Sequence, residues 1–470
     1  MLKLKDFLIH QSRLSIAVLL LLGLVGCGSG GGSDNILCGG DPCATSEDDD
    51  AEDSTNEIEN IVDQGSPDSI QFVSASPQLI SIRSAGGDET SIVTFLVTDT
   101  AGDPIEGVPV SFTIDNTIGG ISLSNTLDET NANGEAAVIV QSGTVHTTVS
   151  VTATVVSTQD STVSPSLSIS TGIPDFNSFS LALDVFNPLA WNLDGSVVNA
   201  TVRLADFFNN PPPDGTQVTF YTEGGRIAAS CSSVGGDCSA EWVGTNPRAT
   251  QGDGDRLGRS AVLAVVTGAE SFQDTNSNGV FDDGDIFTTA DDQPEPWLDN
   301  NENGIFDSGE FYVDFNENGM RDVADGLYNG PLCSHSSLCS ANKTIALGEQ
   351  HLIVMASSVF SIQSATLAAD FGPDGDLDIG AGGRTYFVTV GDENGNTLPF
   401  ESSIAVSATN GVVDGGGIDI ASNAYEPVTF SIFIAPDDTS SADGFLKIAI
   451  TVPVNADETL TTVLSYPVSD

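Results

Sequence analysis

The stretch from Asp274 to Asp325 limits the fold more than any other part of the chain. It contains three tandem acidic loops, DTNSNGVFDDGD, DNNENGIFDSGE and DFNENGMRDVAD. Each loop carries oxygen-bearing side chains at positions 1, 3, 5, 9 and 12 and glycine at position 6, the spacing with which a chain wraps around a Ca²⁺ ion. One such match is unremarkable in a surface loop, but three in tandem predict calcium binding.

Each loop offers a cation the same kinds of oxygen donor. The predicted side-chain ligands are, loop by loop, Asp274, Asn276, Asn278, Asp282 and Asp285; Asp299, Asn301, Asn303, Asp307 and Glu310; and Asp314, Asn316, Asn318, Asp322 and Asp325. The seventh residue contributes only its backbone carbonyl, so its side chain can be apolar, as in Val280, Ile305 and Met320. Only the second loop closes with glutamate, which reaches the ion with both oxygens, so we expect the aspartate-closed loops to bind more weakly or to recruit water.

The sequence around the loops argues against an EF-hand. That module needs a helix on each side of its loop, but DDQPEPW precedes the second loop and only FYV separates it from the third. The pattern resembles the helix-poor calcium loops of thrombospondin type 3 repeats, in which ions take the place of a hydrophobic core. Without metal the carboxylates repel one another, so the segment should be flexible, and metal should stiffen it. Four aromatic side chains are expected to form a small apolar patch between the ions: Phe281, Phe306, Phe311 and Phe315.

The chain before the loops has the texture of short β-strands. Apolar residues alternate with small or polar ones in two clear sets, Val108, Val110, Phe112 and Ile114, and Val149, Val151, Ala153 and Val155. This is the period of a half-buried strand, and turn signals rich in glycine, proline, asparagine and aspartate separate the runs. The features predict an all-β fold and, for this segment, a seven-strand antiparallel sandwich.

Three motifs in the same segment carry a family resemblance. They are Asp99-x-x-Gly102-x-Pro104-x-x-Gly107-Val108-Pro109-Val110-Ser111-Phe112, Thr130-Asn131-Ala132-Asn133-Gly134-Glu135-Ala136 and Ser150-Val151-Thr152-Ala153. Together they resemble the bacterial immunoglobulin-like (Big-1) repeat of the intimin and invasin adhesins. The resemblance implies a rigid immunoglobulin-like spacer domain over residues 69–157, because such repeats form the stalk of those adhesins.

Two further immunoglobulin-like sandwiches are predicted downstream. The second spans residues 176–360, with strands such as VVNATVRL and TQVTFYTEGG, and carries the calcium loops in an insertion at 273–341. The third, divergent domain spans 361–470, where DENGNTLP resembles the turn before the central strand of the repeat. Whether the insertion interrupts the second domain or links the second and third stays open. In either case its ions are expected to set the stiffness and relative angle of those two sandwiches.

The N-terminus has the features of a targeting segment. Basic residues precede an apolar run, residues 14–24, that is too short to span a bilayer. The run ends in Leu24-Val25-Gly26-Cys27, which resembles the lipobox of bacterial lipoproteins. The resemblance implies a signal peptide at 1–26, acyl chains such as palmitate on Cys27, and an outer-membrane anchor facing either the periplasm or the cell surface. Residues 27–68, rich in glycine and acidic residues, are then expected to be a flexible tether.

The other six cysteines fall into three close pairs: Cys38 and Cys43, Cys231 and Cys238, and Cys333 and Cys339. An even count and close pairing in an exported chain predict three short disulfide-closed loops. A zinc site is the alternative. It is disfavoured because the pairs lie far apart in sequence and only His335 lies near one of them.

The charge of the chain narrows the class of partner. Thirteen lysine and arginine residues stand against 66 aspartate and glutamate residues, for a formal net charge of -53. This argues against nucleic acid and against charge-driven binding to an anionic membrane face. Cations or basic proteins are favoured instead, although an acidic surface can also serve only to keep a protein soluble.

No catalytic arrangement stands out from the sequence. His146, His335 and His351 are scattered, with no serine or cysteine nucleophile motif beside them. The segment Gly252-Asp253-Gly254-Asp255 is glycine-rich but acidic, so it would repel a phosphate. A further acidic cluster lacks the glycine and closing residue of the calcium loops and favours a solvated loop: Asp370, Asp374, Asp376 and Asp378. We therefore predict that the protein is not an enzyme.

These features favour a lipid-anchored structural or adhesive arm of immunoglobulin-like domains, stiffened by Ca²⁺ and facing an unidentified protein or glycan ligand. One alternative is a non-catalytic binding component of a periplasmic or surface complex, with the insertion as a calcium-dependent contact. A carbohydrate-active accessory protein is less favoured, because no paired catalytic carboxylates stand out from the acidic background.

Overall fold

The computed structural model describes residues 65–470, apart from 251, 253, 255, 367–374, 438–442, 456 and 470. Outside the described residues lie the predicted signal peptide, nearly all of the predicted tether, Cys27, Cys38 and Cys43. The described part is almost entirely β-structure, with 3₁₀ turns at Ile118–Gly120 and Phe176–Ser178. None of its helices is long and apolar enough to cross a membrane. The prediction of an all-β fold of tandem immunoglobulin-like sandwiches is confirmed.

The first sandwich contains more strands than the seven predicted. Its strands are β1 Ser69–Ser76, β2 Leu79–Ser81, β3 Thr90–Thr98, β4 Pro109–Ile114, β5 Ser122–Leu123, β6 Leu127–Glu129, β7 Glu135–Gln141, β8 Thr147–Val149, β9 Val151–Val155, β10 Ser161–Val163 and β11 Leu167–Ser170. They form sheets in the orders β1-β3-β7-β5, β10-β9-β4-β6 and β2-β11-β8. The additional strands are short edge segments, too brief to show a period in sequence, and β11 extends the domain beyond residue 157 by pairing in parallel with β2.

The alternation seen in the sequence marks the core of this sandwich. Val110 and Phe112 on β4, and Val151, Ala153 and Val155 on β9, are at most 1% exposed. Their neighbours in the strands face outward, as the two-residue period of a pleated strand requires. The predicted core positions of β4 and β9 are confirmed.

The second sandwich contains the insertion. Its strands are β12 Phe179–Leu183, β13 Val197–Leu204, β14 Gln217–Thr222, β15 Arg226–Ile227, β16 Ser230–Ser232, β17 Asp237–Val243, β18 Arg259–Gly268 and β19 Ile345–Val354. The sheets have the orders β12-β13-β17-β15 and β16-β14-β18-β19. Strands β18 and β19 pair antiparallel along their whole length, from Arg259 with Val354 to Gly268 with Ile345. Segment 269–344 therefore leaves the sandwich between two neighbouring strands and returns to it.

Strand β18 is buried on both faces, which explains the continuous apolar run AVLAVV at its centre, residues 261–266. Val262, Ala264 and Val266 point into the core of the sandwich. Leu263 on the opposite face packs with Leu298 of the insertion. The insertion thus covers a sheet face that an ordinary sandwich would leave to water.

The third sandwich is built from β20 Phe360–Ala365, β21 Leu377–Asp378, β22 Arg384–Asp392, β23 Ser403–Ala408, β24 Val412–Asp414, β25 Gly417–Asp419, β26 Val428–Ala435, β27 Asp443–Asn455 and β28 Glu458–Ser469. Its sheets have the orders β20-β22-β26-β24 and β21-β28-β27-β23-β25. The core includes Tyr386, Ile432 and Ile448, each 0% exposed.

One turn recurs in all three sandwiches. Asp99, Asp206 and Asp392 each accept backbone N–H groups from the residues two and four positions later, at 2.8–3.0 Å. This is the local side-chain capping that lets aspartate fix a turn. The sequence shows the turn clearly at Asp99, whereas FNNPPPDG after Asp206 had lost most of the motif.

Two of these aspartates, Asp206 and Asp392, also hold the linkers between sandwiches. The second carboxylate oxygen of Asp206 accepts hydrogen bonds from Ser170 Oγ and from Thr171 Oγ1, at the end of the first sandwich. Asp392 Oδ2 accepts the N–H of Ser357 at 3.0 Å, just after β19. Both aspartates are 0% exposed, so each junction is fixed by a buried, hydrogen-bonded carboxylate.

Candidate metal centre

The opening carboxylate of each acidic loop is held by the backbone of its own loop. In loop one (residues 274–285), Asp274 accepts the N–H of Asn278 at 3.2 Å and that of Gly279 at 2.7 Å, one on each oxygen. Asp299 of loop two (299–310) and Asp314 of loop three (314–325) accept the equivalent pairs at 2.7–3.1 Å. The sixth residues have φ of 73°, 73° and 81°, the left-handed region in which only glycine is free of strain. The three loops therefore share one backbone turn over their first six residues.

The side chains at positions 3, 5 and 9 converge within each loop. The amide nitrogens of Asn276 and Asn278 lie 3.0 and 2.7 Å from one carboxylate oxygen of Asp282. The equivalent amides lie 2.7–2.8 Å from Asp307 and 2.5–3.1 Å from Asp322. An asparagine amide carries an oxygen beside its nitrogen, so rotation of the group would present oxygen in place of the N–H donor.

The chemistry of this donor set suits a hard divalent cation. Carboxylate, amide and backbone carbonyl oxygens are the ligands Ca²⁺ prefers, whereas zinc prefers nitrogen and sulfur. No group of histidine, cysteine, aspartate and glutamate side chains among the described residues is placed to hold a metal on its own. An ion in these loops would depend on the asparagine amides and the seventh-residue carbonyls as well.

The closing carboxylate clamps the start of its loop to its ninth residue. Asp285 accepts the N–H of Thr275 at 2.8 Å with one oxygen and that of Asp282 at 2.9 Å with the other. Glu310 makes the same two contacts in loop two, at 3.1 and 2.8 Å. Both oxygens of the closing residue thus lie at the mouth of the loop.

In loop three these two contacts belong to Glu295, and the predicted closing residue, Asp325, is displaced. Glu295 accepts the N–H of Phe315 at 2.7 Å and that of Asp322 at 2.9 Å. Loops one and two have glycine at position 11 and loop three has Ala324 there, but only Gly309 of loop two has a positive φ, 110°. The sequence did not predict the displacement of Asp325, and nothing in it identified Glu295 as the replacement.

Hydrogen bonding lowers the pKa of the ninth-position carboxylates of loops one and two. The backbone N–H of Gly284, followed by the two asparagine amides, holds the pKa of Asp282 below its ordinary value. The pKa of Asp307 is lowered by its two asparagine amides. These groups are ionised at neutral pH. In contrast, burial raises the pKa of Glu270, at the start of the insertion, to about 7.

Loop one lies against the junction of the first and second sandwiches. A side chain at Gly279 would meet the ring of Phe208 at 3.0 Å, and that ring stacks on His146 of the first sandwich with 3.9 Å between centroids. Phe281, which follows the loop's seventh residue, is 0% exposed and lies with Tyr328 in the apolar cluster that contains the core of the first sandwich. Loop one is therefore tied to both domains by aromatic packing.

Loop two lies near the junction of the second and third sandwiches. Arg259, only 4% exposed, donates two hydrogen bonds of 2.6 Å to the carboxylate of Glu302, the fourth residue of the loop. The same guanidinium donates to the backbone carbonyl of Tyr425 at 3.2 Å and lies 3.5 Å from Asn396 Oδ1. One buried arginine thus connects loop two to the third sandwich.

The four aromatic residues expected to form one patch between the ions do not do so. Phe281 is buried with Phe272 and Tyr328. Phe311 and Phe315 are 45% and 41% exposed. Phe306 contributes to a separate cluster, in which the Arg321 guanidinium lies 4.8 Å from its ring and 4.2 Å from that of Trp297. The four aromatic side chains therefore lie in separate environments, two of them in different clusters and two exposed.

Two of the three predicted disulfides lie within the described residues, and both are formed. Cys231–Cys238 joins β16 to β17, and Cys333–Cys339 closes a short loop of the insertion. Isolated β-bridges pair Phe281 with Cys333 and Tyr328 with Cys339. The second disulfide therefore fixes the backbone next to the two most buried aromatic residues of the insertion.

The other residues singled out in the sequence do not assemble into a site. His146 stacks on Phe208, His351 lies beside Phe186, and His335 stacks on Phe281 with its Nδ1 3.5 Å from Asp283. Burial lowers the pKa of His351. Asp253, Asp255, Asp370 and Asp374 lie outside the described residues, as does the side chain of Asp378.

Comparison with known proteins identifies the class of the first sandwich. Residues 81–167 match the family described as bacterial Ig-like domain (group 1). No curated protein sequence matches the chain at a significant level. The first sandwich is thus a Big-1 domain.

Solved structures of bacterial adhesins are similar at low identity. The D0-D1 domain of intimin is 20% identical, over 42% of this chain and 91% of that one, with a TM-score of 0.21. Invasin, a bacterial integrin-binding protein, is 14% identical over 85% of this chain and 60% of its own, with a TM-score of 0.25. The Escherichia coli adhesin FdeC is 11% identical over 86% of this chain and 98% of its own, with a TM-score of 0.29.

Proposed function

We propose that this chain is a lipid-anchored envelope protein that serves as a structural or adhesive arm, whose immunoglobulin-like sandwiches are stiffened by Ca²⁺. The proposal is supported chiefly by the position of the acidic loops. Loop one packs on the junction of sandwiches one and two through Phe208, and loop two is connected to sandwich three through Arg259. Ions bound in the insertion would therefore act on both junctions, and not only on the second.

The physical basis of the stiffening is charge neutralisation. Each loop places two or three carboxylates around one point, and their repulsion opposes the folded loop when no cation is present. A bound ion stabilises the folded loop by about 2.7 kcal/mol when its free concentration is 100 times Kd. Three ions would add up to roughly 8 kcal/mol, comparable to the whole stability of a typical domain.

Calorimetry of the full chain in detergent tests the calcium dependence. With Ca²⁺ the insertion and the second sandwich should unfold at a higher temperature than with a chelator, while Mg²⁺ at the same concentration should have a much smaller effect because it resists loss of its waters. Identical melting curves in Ca²⁺ and in chelator would contradict the proposal. The lipid anchor is tested separately: Cys27→Ser should move the protein from the membrane fraction to the soluble fraction.

The location of the arm decides between adhesion and a periplasmic structural role. Protease added to intact cells should cleave the exposed loops if the arm faces outward, and chelator should increase the cleavage of the insertion. Complete resistance in intact cells, together with cleavage after the outer membrane is opened, would exclude surface adhesion. The structural role would remain.

A calcium-dependent contact surface is a second candidate function. The loops carry exposed apolar side chains, with Ile305 and Met320 each 66% exposed and Val323 72% exposed. Such residues near an acidic surface favour a basic, partly apolar protein partner. Replacing Ile305 and Met320 by serine should abolish this binding and leave the calcium affinity unchanged, since the seventh residue is predicted to offer only its carbonyl.

A further inference from the structure

The displaced Asp325 takes part in a fourth copy of the loop geometry, which is assembled from three separate segments of the insertion. Its N–H donates to one carboxylate oxygen of Asp292 at 3.1 Å, and the N–H of Gly326 donates to the other at 2.9 Å. These contacts reproduce those of Asp274 with the fifth and sixth residues of loop one, at 3.2 and 2.7 Å. Gly326 also has the positive φ of a sixth residue, 76°.

Glu270 completes this arrangement in the manner of a closing carboxylate. It accepts the N–H of Gln293, which follows Asp292, at 2.7 Å, and the N–H of Asn329 at 2.7 Å. Asp285, Glu310 and Glu295 make the same pair of contacts, to the second and ninth residues, in the three continuous loops. By this correspondence Asp292 is position 1, Asp325 position 5, Asn329 position 9 and Glu270 position 12.

One buried oxygen at this place has no partner in the protein. Asn329 is 5% exposed, and its side-chain Oδ1 accepts no hydrogen bond. The nitrogen of the same amide lies 3.2 Å from the carbonyl of Leu327, the seventh residue, and 3.5 Å from Asp325 Oδ1. The nitrogen end of the amide therefore lies among the other oxygens of the cluster, and a flip of the amide would bring the oxygen there instead. An unpaired buried oxygen is costly unless a ligand satisfies it.

We propose that Glu270, Asp292, Asp325, Asn329 and the carbonyl of Leu327 form a fourth, discontinuous binding site for a divalent cation. The donors are all oxygen, and the closing residue is a glutamate, as in loop two, so Ca²⁺ is the ion that fits. The choice of ion rests on the proposed function, whereas the assignment of the residues rests on the geometry alone. A cavity of about 610 Å³ lies beside the cluster, and Asp325 and Asn329 are among the residues that line it.

This site would join the beginning, middle and end of the insertion. Glu270 follows β18 directly, Asp292 lies between loops one and two, and Asp325 to Asn329 follow loop three. Loops one and two are each closed by their own last residue, and loop three by Glu295. The fourth site would instead connect the two ends and the middle of the insertion. It would decide whether the three loops fold as one body.

Equilibrium dialysis of the full chain in detergent with radioactive Ca²⁺ tests the site. The unmodified chain should bind about four ions, Asp292→Asn about three, and the matched control Asp291→Asn about four, since Asp291 carries the same charge one residue away and caps Thr288 instead. Equal stoichiometry for all three proteins, at about three ions, would overturn the fourth site and leave the proposed function intact. Absence of calcium binding in every protein would overturn both.

A second substitution guards against a variant that fails to fold. Asn329→Asp gives the ninth position the carboxylate that it has in loops one to three. It should tighten one site by about tenfold, because ligand charge sets the affinity of such loops, and leave the other sites unchanged. If Asn329→Asp instead lowers the melting temperature and Ca²⁺ does not restore it, the added carboxylate faces no cation and the inference is wrong.

Discussion

The first sandwich and the insertion are held together in different ways, although they share an apolar cluster. In the sandwich, strands supply a core of side chains such as Phe95 and Phe112, both at most 1% exposed. In the insertion, residues 269–344 form isolated β-bridges but no β-strand. Their turns are closed by carboxylates that accept backbone N–H groups. Burial of apolar side chains stabilises the sandwich in water whether or not a cation is present. We propose that the carboxylate turns, in contrast, are stabilised by a cation that offsets their mutual repulsion.

The difference has a consequence for the whole arm. The few buried apolar residues of the insertion pack outward, Phe281 into the cluster of the first sandwich and Leu298 onto the outer face of β18. If the insertion loses its order, these faces are exposed to water. If the insertion depends on a cation, as we propose, that cation would thereby control surfaces on the neighbouring sandwiches.

Removal of calcium should have the largest effect and should separate the two regions. With chelator, amide protons of the insertion and of the adjoining β18 and β19 should exchange far faster, by the equivalent of roughly 8 kcal/mol for three ions at 100 times Kd. Strands β3 and β7 of the first sandwich should keep their protection. Hydrogen exchange read by mass spectrometry on the full chain measures both regions at once. Equal loss of protection in the two regions would show that they are one cooperative unit.

The sequence was informative wherever a feature was continuous in the chain. The loops were recognisable because Asp274, Asn276, Asn278 and Gly279 lie within six residues, and the strands because Val110 and Phe112 alternate with outward residues. The two disulfides could be predicted for the same reason, because their cysteines lie seven and six residues apart.

The sequence was not informative where donors come from distant segments. Glu295 lies ahead of loop two and yet closes loop three, and no spacing rule connects the two. The fully apolar run of β18 likewise has a cause outside itself, because the insertion covers its second face. The position of loop one relative to the first sandwich could not be predicted either, since it depends on the packing of Phe208 between the loop and His146.

Phe281→Ala sharpens the comparison by removing an apolar contact from the cation-dependent region. The ring is 0% exposed and contacts Phe272, Tyr328 and His335. The free energy of unfolding should fall by about 3–5 kcal/mol in the presence of Ca²⁺, because removal of a large buried ring leaves a cavity. Chemical denaturation followed by tryptophan fluorescence measures it. Phe315→Ala is the matched control, 41% exposed, and should cost less than about 1 kcal/mol; a similar cost for both would mean that the insertion has no apolar core of its own.

The Arg259–Glu302 ion pair couples loop two to β18, and the same guanidinium also contacts Tyr425 and Asn396 of the third sandwich. Arg259→Met should destabilise the protein by about 3 kcal/mol, because it leaves the carboxylate of Glu302 without its buried partner. A double-mutant cycle with Glu302→Gln isolates the pair. The exposed pair Arg203–Asp237, at 3.7 Å and with both side chains more than half exposed, is the control and should couple by less than about 1 kcal/mol. Equal coupling energies would contradict a buried connection.

The smallest predicted effect is a difference in the sign of pH dependence between the two regions. Burial raises the pKa of Asp392, at the second junction, to about 6 from an ordinary value of 3.8. The folded state therefore binds this proton more tightly than the unfolded state, and stability is gained as the pH falls from about 6 to about 4. Ionisation of Asp392 in the folded state costs about 3 kcal/mol, so the stability of Asp392→Asn relative to the unmodified chain should rise by about 3 kcal/mol between pH 4 and neutral pH. The pH-independent part of the difference includes the loss of one acceptor, because the asparagine amide has a single oxygen where the carboxylate has two that accept the N–H groups of Ser357 and Asn396.

The carboxylates of the loops should behave in the opposite way. Hydrogen bonds hold the pKa of Asp282 and Asp307 below the ordinary value, so what they contribute is present above about pH 4 and is lost as the pH falls through their folded pKa. Denaturation curves of the full chain and of Asp392→Asn, recorded in saturating Ca²⁺ across this range, separate the two contributions because only the junction term disappears in the variant. If the two curves stay parallel at every pH, the pKa of Asp392 is the same in the folded and unfolded states. The carboxylate then does not hold the junction in the way its contacts with Ser357 and Asn396 indicate.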